Sequence, residues 1–285
     1  MTVPFTRRAL VRGLSALLAA PAMPGHAAAT DAIGAIERAH GGRLGVFVLD
    51  TGTGRTLAHR ADERFLMQST FKGILAAMVL SRIDAGQDRL ERRVPYSARD
   101  LLPASPVTKA HVADGGMTVA ALCQAILERS DNAAANLLLA RVGGPAQLTA
   151  YVRGLGDPVT RFDRYELVGG WSGTKDTTTP QAIVGSFRTI VLGNALQPGS
   201  RLRLQGGMAA NVPGRTRLRA AFPPTWTAGD RTGTSDGVCN DVAVAWPPGR
   251  APLVMAAYYQ AANMDMAQQE AVLREAGSAI VAWAA

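Results

Sequence analysis

Short apolar runs separated by turn residues occur near both ends of the chain, and this pattern predicts strands. Residues 43–57 read RLGVFVLDTGTGRTL, which is two apolar runs around a Gly-Thr-Gly turn. Residues 225–260 contain at least three further strand patterns, two of them joined by the sequence PPG at 247–249. Predicted strands therefore come from both ends of the chain.

Between these two regions the apolar residues follow helical periodicity, with loops rich in glycine and proline. Helices are predicted over 118–128, 132–142 and 180–193, and the tail from Asp265 to Trp283 predicts a final amphipathic helix. We therefore predict an α/β (α+β) fold, in which an antiparallel sheet formed by the N- and C-terminal segments has flanking helices and an all-helical lobe lies beside it. A cleft between two such lobes is a common ligand site, so we expect the active site there.

One segment of the helical region contains a single charge in an apolar setting. Residues 65–81 read FLMQSTFKGILAAMVLS, and Gly73 to Leu80 are apolar on every face of a helix, which predicts a buried helix. Lys72 then lies in a dry environment, which lowers the pKa of an amine. Ser69 is one turn earlier, so the amine could activate its hydroxyl as a nucleophile. Alone, S-x-x-K is more often a helix-capping serine followed by a lysine that extends along apolar neighbours.

The N-terminus has the composition of an export signal. Residues 1–29 contain basic positions, the apolar stretch 14–20 and the small-residue site AAA at 27–29, which predicts a signal peptide. Its TRR triplet at 6–8 is a twin-arginine pattern and implies bacterial export after folding, to the periplasm or outside the cell. The apolar stretch is too short for a membrane helix, so we expect no stable membrane association after cleavage.

Length and charge narrow the class of protein further. With 285 residues, 47% of them hydrophobic, the chain can form one large domain over 30–285. Its α/β lobe is predicted from about 30–65 and 215–285, and its helical lobe from about 66–214. Signal removal takes away three arginines and no acid, so the formal net charge falls from +8 to +5. Most arginines of the cluster 201–219 are interpreted as a solvated face, and no nucleic-acid partner is predicted.

The cysteines and histidines give no predicted metal site. Cys123 falls in a helical pattern and Cys239 in a strand pattern, and the sequence does not place them within bridging distance, so two buried free thiols are favoured over a disulfide. The four scattered histidines add no zinc spacing. We predict neither a metal nor another cofactor.

Two further motifs carry candidate chemistry. The triplet SDN at 130–132 lies between two helical patterns, and Asn132 and Asn136 are one turn apart on the second helix. Alone, S-D-N is ordinary helix-cap chemistry. The sequence RTGT at 231–234 ends a strand pattern; its cation and hydroxyls suit a carboxylate, although a hairpin turn with a surface arginine would look the same.

A competing motif overlaps the second of these. Residues 233–237 read GTSDG and match the G-x-S-x-G nucleophile elbow. That elbow needs a helix after the serine and a histidine later in the chain. A strand pattern follows here and every histidine precedes it, so the elbow is rejected.

The three motifs S-x-x-K, S-D-N and R-T-G in this order closely resemble the class A serine β-lactamases. Other segments look like parts of the same family: SPVT at 105–108, DGGMTV at 114–119, SDNAAANLLL at 130–139, DTTTP at 176–180 and NDVAVAWPP at 240–248. The resemblance covers nearly all of the mature chain. It implies a hydrolase of β-lactams, with a small-molecule substrate, no cofactor and a monomeric state.

The resemblance also implies catalytic roles. Ser69 would attack the β-lactam carbonyl, and its backbone N–H, with that of Thr234, would form an oxyanion hole. Lys72 would accept the serine proton, directly or in concert with Glu166 through water. Ser130 would pass a proton to the lactam nitrogen.

Substrate binding is implied for a second set of residues. Asn132 would bind the side-chain amide of the drug, while Arg231 and Thr232, together with Arg219, would hold its carboxylate. Gly233 would let the ligand approach the backbone closely. The family usually has lysine where Arg231 stands; arginine keeps the charge but does not release a proton as lysine can.

Residues 161–176 resemble the family's Ω loop. Arg164 and Asp176 are expected to pair across its neck, and Glu166, oriented in part by Asn136, would activate the water that hydrolyses the acyl-enzyme. The loop is shorter than usual by about three residues, and the family's water-holding asparagine is replaced by Gly170. Deacylation is therefore the step most at risk.

Two alternatives remain open at this point. The altered loop suits a penicillin acceptor or sensor that is acylated at Ser69 and then stalls, and S-x-x-K also occurs in D-alanyl-D-alanine peptidases. The combination of Glu166 with Asn136 favours a β-lactam hydrolase over both.

Overall fold

The computed structural model describes residues 24–167 and 169–285. The predicted twin-arginine motif and apolar stretch of the signal lie outside the described residues, and the first described helix begins at Pro24. None of the described helices has both the length and the apolar composition needed to cross a bilayer.

The described residues form helices and strands, with the long strands near the two ends of the chain and most of the helices between them. The α-helices are α1 Pro24–His40, α2 Phe71–Asp84, α3 Pro106–Ala110, α4 Val119–Arg129, α5 Asn132–Arg141, α6 Pro145–Gly154, α7 Pro180–Val191, α8 Pro198–Ala209 and α9 Met266–Ala284. The strands are β1 Arg43–Asp50, β2 Thr56–His59, β3 Phe65–Leu66, β4 Arg93–Pro95, β5 Gly116–Thr118, β6 Thr177–Thr178, β7 Thr227–Ser235, β8 Val238–Trp246 and β9 Leu253–Gln260. Short 3₁₀ helices lie at Gln68–Thr70, Ala98–Asp100, Val112–Asp114, Pro213–Thr216 and Leu218–Ala221.

The main sheet contains five antiparallel strands in the order β2-β1-β9-β8-β7. The antiparallel sheet predicted from the two ends of the chain is thus confirmed, and β7 is an edge strand. The helices predicted around α4, α5, α7 and α9 are present as well, with ends within a few residues of the prediction.

Helices cover both faces of this sheet, which explains why its strands are almost continuously apolar. Along β1, Val46 and Val48 belong to the core shared with α1 and α9, whereas Phe47 between them belongs to the core shared with α2 and α7. Successive side chains of a strand point to opposite faces, so both faces bury apolar surface. Each fully buried side chain of this size stabilises the fold by about 1.5–3 kcal/mol.

Helix α2 runs through the middle of the helical lobe. Its residues from Phe71 to Leu80 are all buried, as the apolar pattern predicts. Gly73 permits this packing, because a Cβ there would lie 2.6 Å from the ring of Phe187. The first turn of α2 is therefore held firmly at the junction of the helical lobe with the sheet.

Cys123 and Cys239 are both buried free thiols, as predicted. Burial raises the pKa of each thiol to about 12. Neither is therefore a reactive thiolate near neutral pH.

Candidate active site

Ser69 lies in the 3₁₀ turn that leads into α2, and Lys72 lies one turn further along. The two side chains meet as the spacing predicts, with 3.0 Å between Lys72 Nζ and Ser69 Oγ. The turn is anchored from behind, because Thr70 Oγ1 donates to Met67 O and contacts the Tyr258 hydroxyl at 3.0 Å. The nucleophile candidate thus stands on rigid backbone.

Lys72 is completely buried among oxygen atoms. In addition to Ser69 Oγ, its Nζ lies close to four oxygens: Asn132 Oδ1 at 2.5 Å, Ser130 O at 2.9 Å, Glu166 Oε1 at 3.0 Å and Ser130 Oγ at 3.4 Å. Burial lowers the pKa of Lys72 to about 8, with Glu166 opposing the shift and Arg231 adding to it. The amine therefore loses its proton more readily than an ordinary lysine and can act as a base.

The number of protons on Lys72 Nζ limits how many of these oxygens can accept a hydrogen bond from it at one time. Ser130 O and Asn132 Oδ1 accept only, so they take two N–H groups in either protonation state. An ammonium has one more N–H, which can go to Glu166, whereas a free amine has a lone pair that can accept from Ser69 Oγ–H. One proton can thus pass along the line Ser69, Lys72, Glu166.

A tight turn between α4 and α5 carries Ser130 and Asn132. Ser130 has a left-handed backbone with φ 57°, and the buried Asp131 caps α5 by accepting from Ala134 N at 2.9 Å. The Asp131 carboxylate also accepts from the backbone of Val107 and Thr108, both at 2.9 Å. Asp131 therefore ties the turn to α3 and leaves its two neighbours facing Lys72.

Asn136 holds Glu166 from the next turn of α5. Its Oδ1 accepts from Glu166 N and its Nδ2 donates to Glu166 O, each at 2.8 Å. Both ends of one amide thus fix the backbone of Glu166, whose side chain is 5% exposed. The peptide bond from Glu166 to Leu167 is cis.

The predicted pair at the neck of the loop is present, with 2.5 Å between Arg164 Nε and Asp176 Oδ2. Asp176 also accepts from the backbone N–H groups of Asp163 and Arg164, at 2.8 and 3.1 Å. The start of the loop, up to Glu166, is therefore well fixed.

The part of the loop after Glu166, at residues 169–171, is more exposed to solvent. Gly169 and Gly170 are exposed, and Trp171 is 55% exposed. A cavity of about 590 Å³ separates Gly170 and Trp171 from residues 235–238, where β7 turns into β8. The missing amide at Gly170 thus coincides with open space, since no heavy atom of the described residues other than its chain neighbours lies within 4 Å of a Cβ built there.

The edge strand β7 passes beside the Ser69 turn. A Cβ at Gly233 would lie 2.4 Å from Met67 O, so this close approach requires glycine. Thr234, the next residue, is exposed at the open edge, while Thr232 and Arg231 are buried. Burial lowers the pKa of Arg231 to about 10.

Two arginines near β7 lie in positions that differ from those expected from the sequence. The guanidinium of Arg219 pairs with Asp230 at 2.5 Å and donates to two backbone carbonyls, those of Ala209 and Asn211, so the structure does not bring it to the Ser69 cleft. Arg217 instead reaches β7, where its Nη2 donates to Thr234 Oγ1 at 2.7 Å. Arg217 is 2% exposed, so it is not one of the solvated arginines expected in the cluster 201–219. No periodicity in the arginine-rich segment distinguishes it from its neighbours.

Among the residues that the structure describes, no group of three or more His, Cys, Asp or Glu side chains is placed to hold a metal ion.

Comparisons with known proteins identify the family of the chain. A family model described as the β-lactamase enzyme family matches residues 28–284. The β-lactamase AST-1 of Nocardia asteroides is 45% identical over 250 residues, which cover 86% of this chain and 80% of the relative. A protein of Klebsiella oxytoca named carbapenem-hydrolyzing β-lactamase KPC is 44% identical over 248 residues, covering 85% and 84%.

Solved structures give the same result at the level of the fold. The crystal structure of a β-lactamase from Burkholderia vietnamiensis superposes with a TM-score of 0.90 at 57% identity, covering 91% of this chain and 97% of the other. An ancestral class A β-lactamase gives a TM-score of 0.86 at 50% identity, covering 89% and 98%. The chain therefore belongs to the β-lactamase enzyme family, among its class A serine enzymes.

Proposed function

We propose that this chain hydrolyses the β-lactam amide bond through an acyl-enzyme at Ser69, and that Glu166 activates the water that releases the product. The observation that carries the proposal is the position of Lys72 Nζ, 3.0 Å from both Ser69 Oγ and Glu166 Oε1. One buried amine thus connects a nucleophile with a second base.

In the acylation step, Ser69 Oγ attacks the lactam carbonyl and its proton passes to Lys72, directly or onward to Glu166. The backbone N–H groups of Ser69 and Thr234 donate to the developing oxyanion. Support for this pairing comes from Gly233, whose close approach to Met67 brings β7 beside the Ser69 turn. When the C–N bond of the ring breaks, Ser130 Oγ delivers its proton to the leaving nitrogen and takes the proton that came from Ser69 back from Lys72 Nζ, which lies 3.4 Å away.

In the deacylation step, Glu166 takes a proton from water as the water attacks the acyl carbonyl. The bond between the acyl carbon and Ser69 Oγ then breaks, and the proton that Glu166 took from the water returns to Ser69 Oγ, directly or through Lys72, so that the enzyme is regenerated. Fixing of the Glu166 backbone by Asn136 supports this role, because a general base needs accurate placement.

Substrate recognition would use the groups around the cleft. The Nδ2 of Asn132 donates one hydrogen to Pro103 O at 2.9 Å, and its second hydrogen can serve the side-chain amide of a β-lactam. The hydroxyls of Thr232 and Thr234 would bind the carboxylate. Arg217, behind Thr234, would supply the positive charge that was expected from Arg219, and Arg231 adds a second charge beside Thr232.

Replacing Gly170 with asparagine is expected to speed deacylation by about two- to tenfold, because it restores an amide where the hydrolytic water should lie. The substitution should fit, since no heavy atom of the described residues other than its chain neighbours lies within 4 Å of a Cβ built there. Single-turnover decay of the acyl-enzyme measures the effect. Gly199→Asn, at another open glycine, is the matched control. Unchanged decay in Gly170→Asn would mean that the shortened loop already holds its water.

We also propose that the protein acts outside the cytoplasm, after export by the twin-arginine signal in residues 1–29. The order of basic, apolar and small residues in that segment supports this. The mature chain would act as a monomer, as its resemblance to the family implies. The stalled acceptor and the peptidase are not favoured, since neither explains why Glu166 contacts Lys72.

The proposed function is tested by measuring steady-state hydrolysis of a penicillin by the mature chain and by its Ser69→Ala variant. Multiple turnovers by the wild-type chain and none by the variant are expected. Equal hydrolysis by both proteins would show that Ser69 is not the nucleophile, and the proposal would fail.

A further inference from the structure

The buried guanidinium of Arg231 is already engaged by the protein. Among the described residues it donates four hydrogen bonds, all to uncharged oxygens: Leu127 O at 2.6 Å, Asn211 Oδ1 at 3.1 Å, Ser69 O at 3.3 Å and Thr232 O at 3.4 Å. The residue is 0% exposed. A group held in this way is poorly placed to form a fork with a substrate carboxylate, which would have to displace these partners.

The shortest of these bonds is at the end of a helix. Leu127 lies in the last turn of α4, where the final four carbonyls lack partners within the helix. A cation at a helix C-terminus is also favoured by the helix dipole. Arg231 therefore caps α4 three residues before Ser130, where the turn toward Ser130 and Asn132 begins.

A second capping contact comes from the segment that holds Arg231. Val212 N donates to Glu128 O, the next carbonyl of α4, at 3.0 Å. Its neighbour Asn211 is completely buried and accepts from Arg231 through Oδ1 while its Nδ2 donates to Asp230. Because a guanidinium only donates hydrogen bonds, Asn211 Oδ1 must face Arg231. The carboxylate of Asp230 accepts from Asn211 Nδ2 and so fixes this orientation of the amide.

The same guanidinium also reaches the nucleophile turn. Its Nε donates to Ser69 O, and its stem packs against α2, since a Cβ at Gly73 would lie 3.4 Å from Arg231 Cγ. A single planar side chain thus bridges the Ser69 turn and the end of α4. Lysine, with one nitrogen, could not hold both carbonyls in this geometry.

We propose that Arg231, held by Asn211, is a positioning residue that sets the Ser130 turn relative to Ser69, and that it is not a direct ligand of the substrate carboxylate. The inference rests on the proposed function, because it concerns the same reaction. It assigns the direct carboxylate contact to the hydroxyls of Thr232 and Thr234 with Arg217.

The test compares a penicillin with its methyl ester, which lacks the carboxylate charge. Acylation rate constants per active site are measured for Arg231→Gln and Arg217→Gln, with the exposed Arg215→Gln as the matched control for lost charge. For Arg231→Gln we expect the same loss on acid and ester, within about twofold, and for Arg217→Gln a loss about tenfold larger on the acid. Arg231→Lys should recover part of the loss on both substrates.

A loss in Arg231→Gln that is confined to the free acid, or no loss on either substrate, would overturn the proposal. If Arg231→Gln does not fold, Asn211→Ala removes one contact of the guanidinium and should show a smaller loss that is again equal on acid and ester. Failure of the proposed function itself would look different, since the wild-type chain would then not turn over the penicillin.

Discussion

Replacing Lys72 with alanine is expected to slow acylation of Ser69 by about 10²–10⁴-fold, the usual contribution of a general base. The amine that contacts Ser69 Oγ is lost, and no other described nitrogen takes part in that contact. The fold should survive, because removing a buried amine also removes the cost of desolvating it. Stopped-flow acylation measures the rate, and thermal unfolding of this variant and of the longer Lys72→Met checks the fold. An acylation rate equal to that of the wild-type chain would contradict the role of Lys72 as the base.

The same residue predicts a pH dependence with a definite sign. Burial lowers the pKa of Lys72 to about 8, so the free amine is a minor form at pH 7 and becomes the major form above pH 8. Acylation by the wild-type chain should therefore rise with pH to a plateau, with a midpoint near 8. This rise should be absent in Lys72→Ala.

Replacing Glu166 with glutamine is expected to slow deacylation by about 10²–10⁴-fold while acylation continues. Glutamine keeps the shape and can still contact Lys72, but it does not accept a proton from water. One acyl group per chain should then accumulate, which mass spectrometry of the intact protein detects.

Glu91→Gln is the matched control, since Glu91 is exposed. Turnover by Glu166→Gln at the rate of the wild-type chain would show that another base drives deacylation. A wild-type chain that already accumulates the adduct as Glu166→Gln does would favour the stalled acceptor.

Local parts of the fold and site were predictable because they depend on residues close in sequence. The helix that places Lys72 one turn from Ser69 follows from apolar periodicity and helix geometry alone. The strands at both ends follow from short apolar runs between turn residues. The roles of Glu166 and Asn136 required the resemblance to a family, because these residues contact each other across 30 positions of the chain.

The arginines show why the remaining features could not be predicted. Arg217 and Arg219 are two positions apart in an irregular segment, and only the path of the 3₁₀ helices decides that one reaches β7 while the other pairs with Asp230. Arg231 was consistent with a surface arginine at a hairpin. Its burial depends on the end of α4 and on Asn211, both distant in sequence.

The most direct test of the central claim is the mass of the intact mature protein over time after mixing with a penicillin, with product release followed by absorbance. We predict steady release of product over many turnovers with little adduct, because Glu166 lies beside Lys72 and Asn136 fixes its backbone. A single burst followed by a persistent adduct, which is absent in Ser69→Ala, would contradict the account: the chain would then capture β-lactams without hydrolysing them.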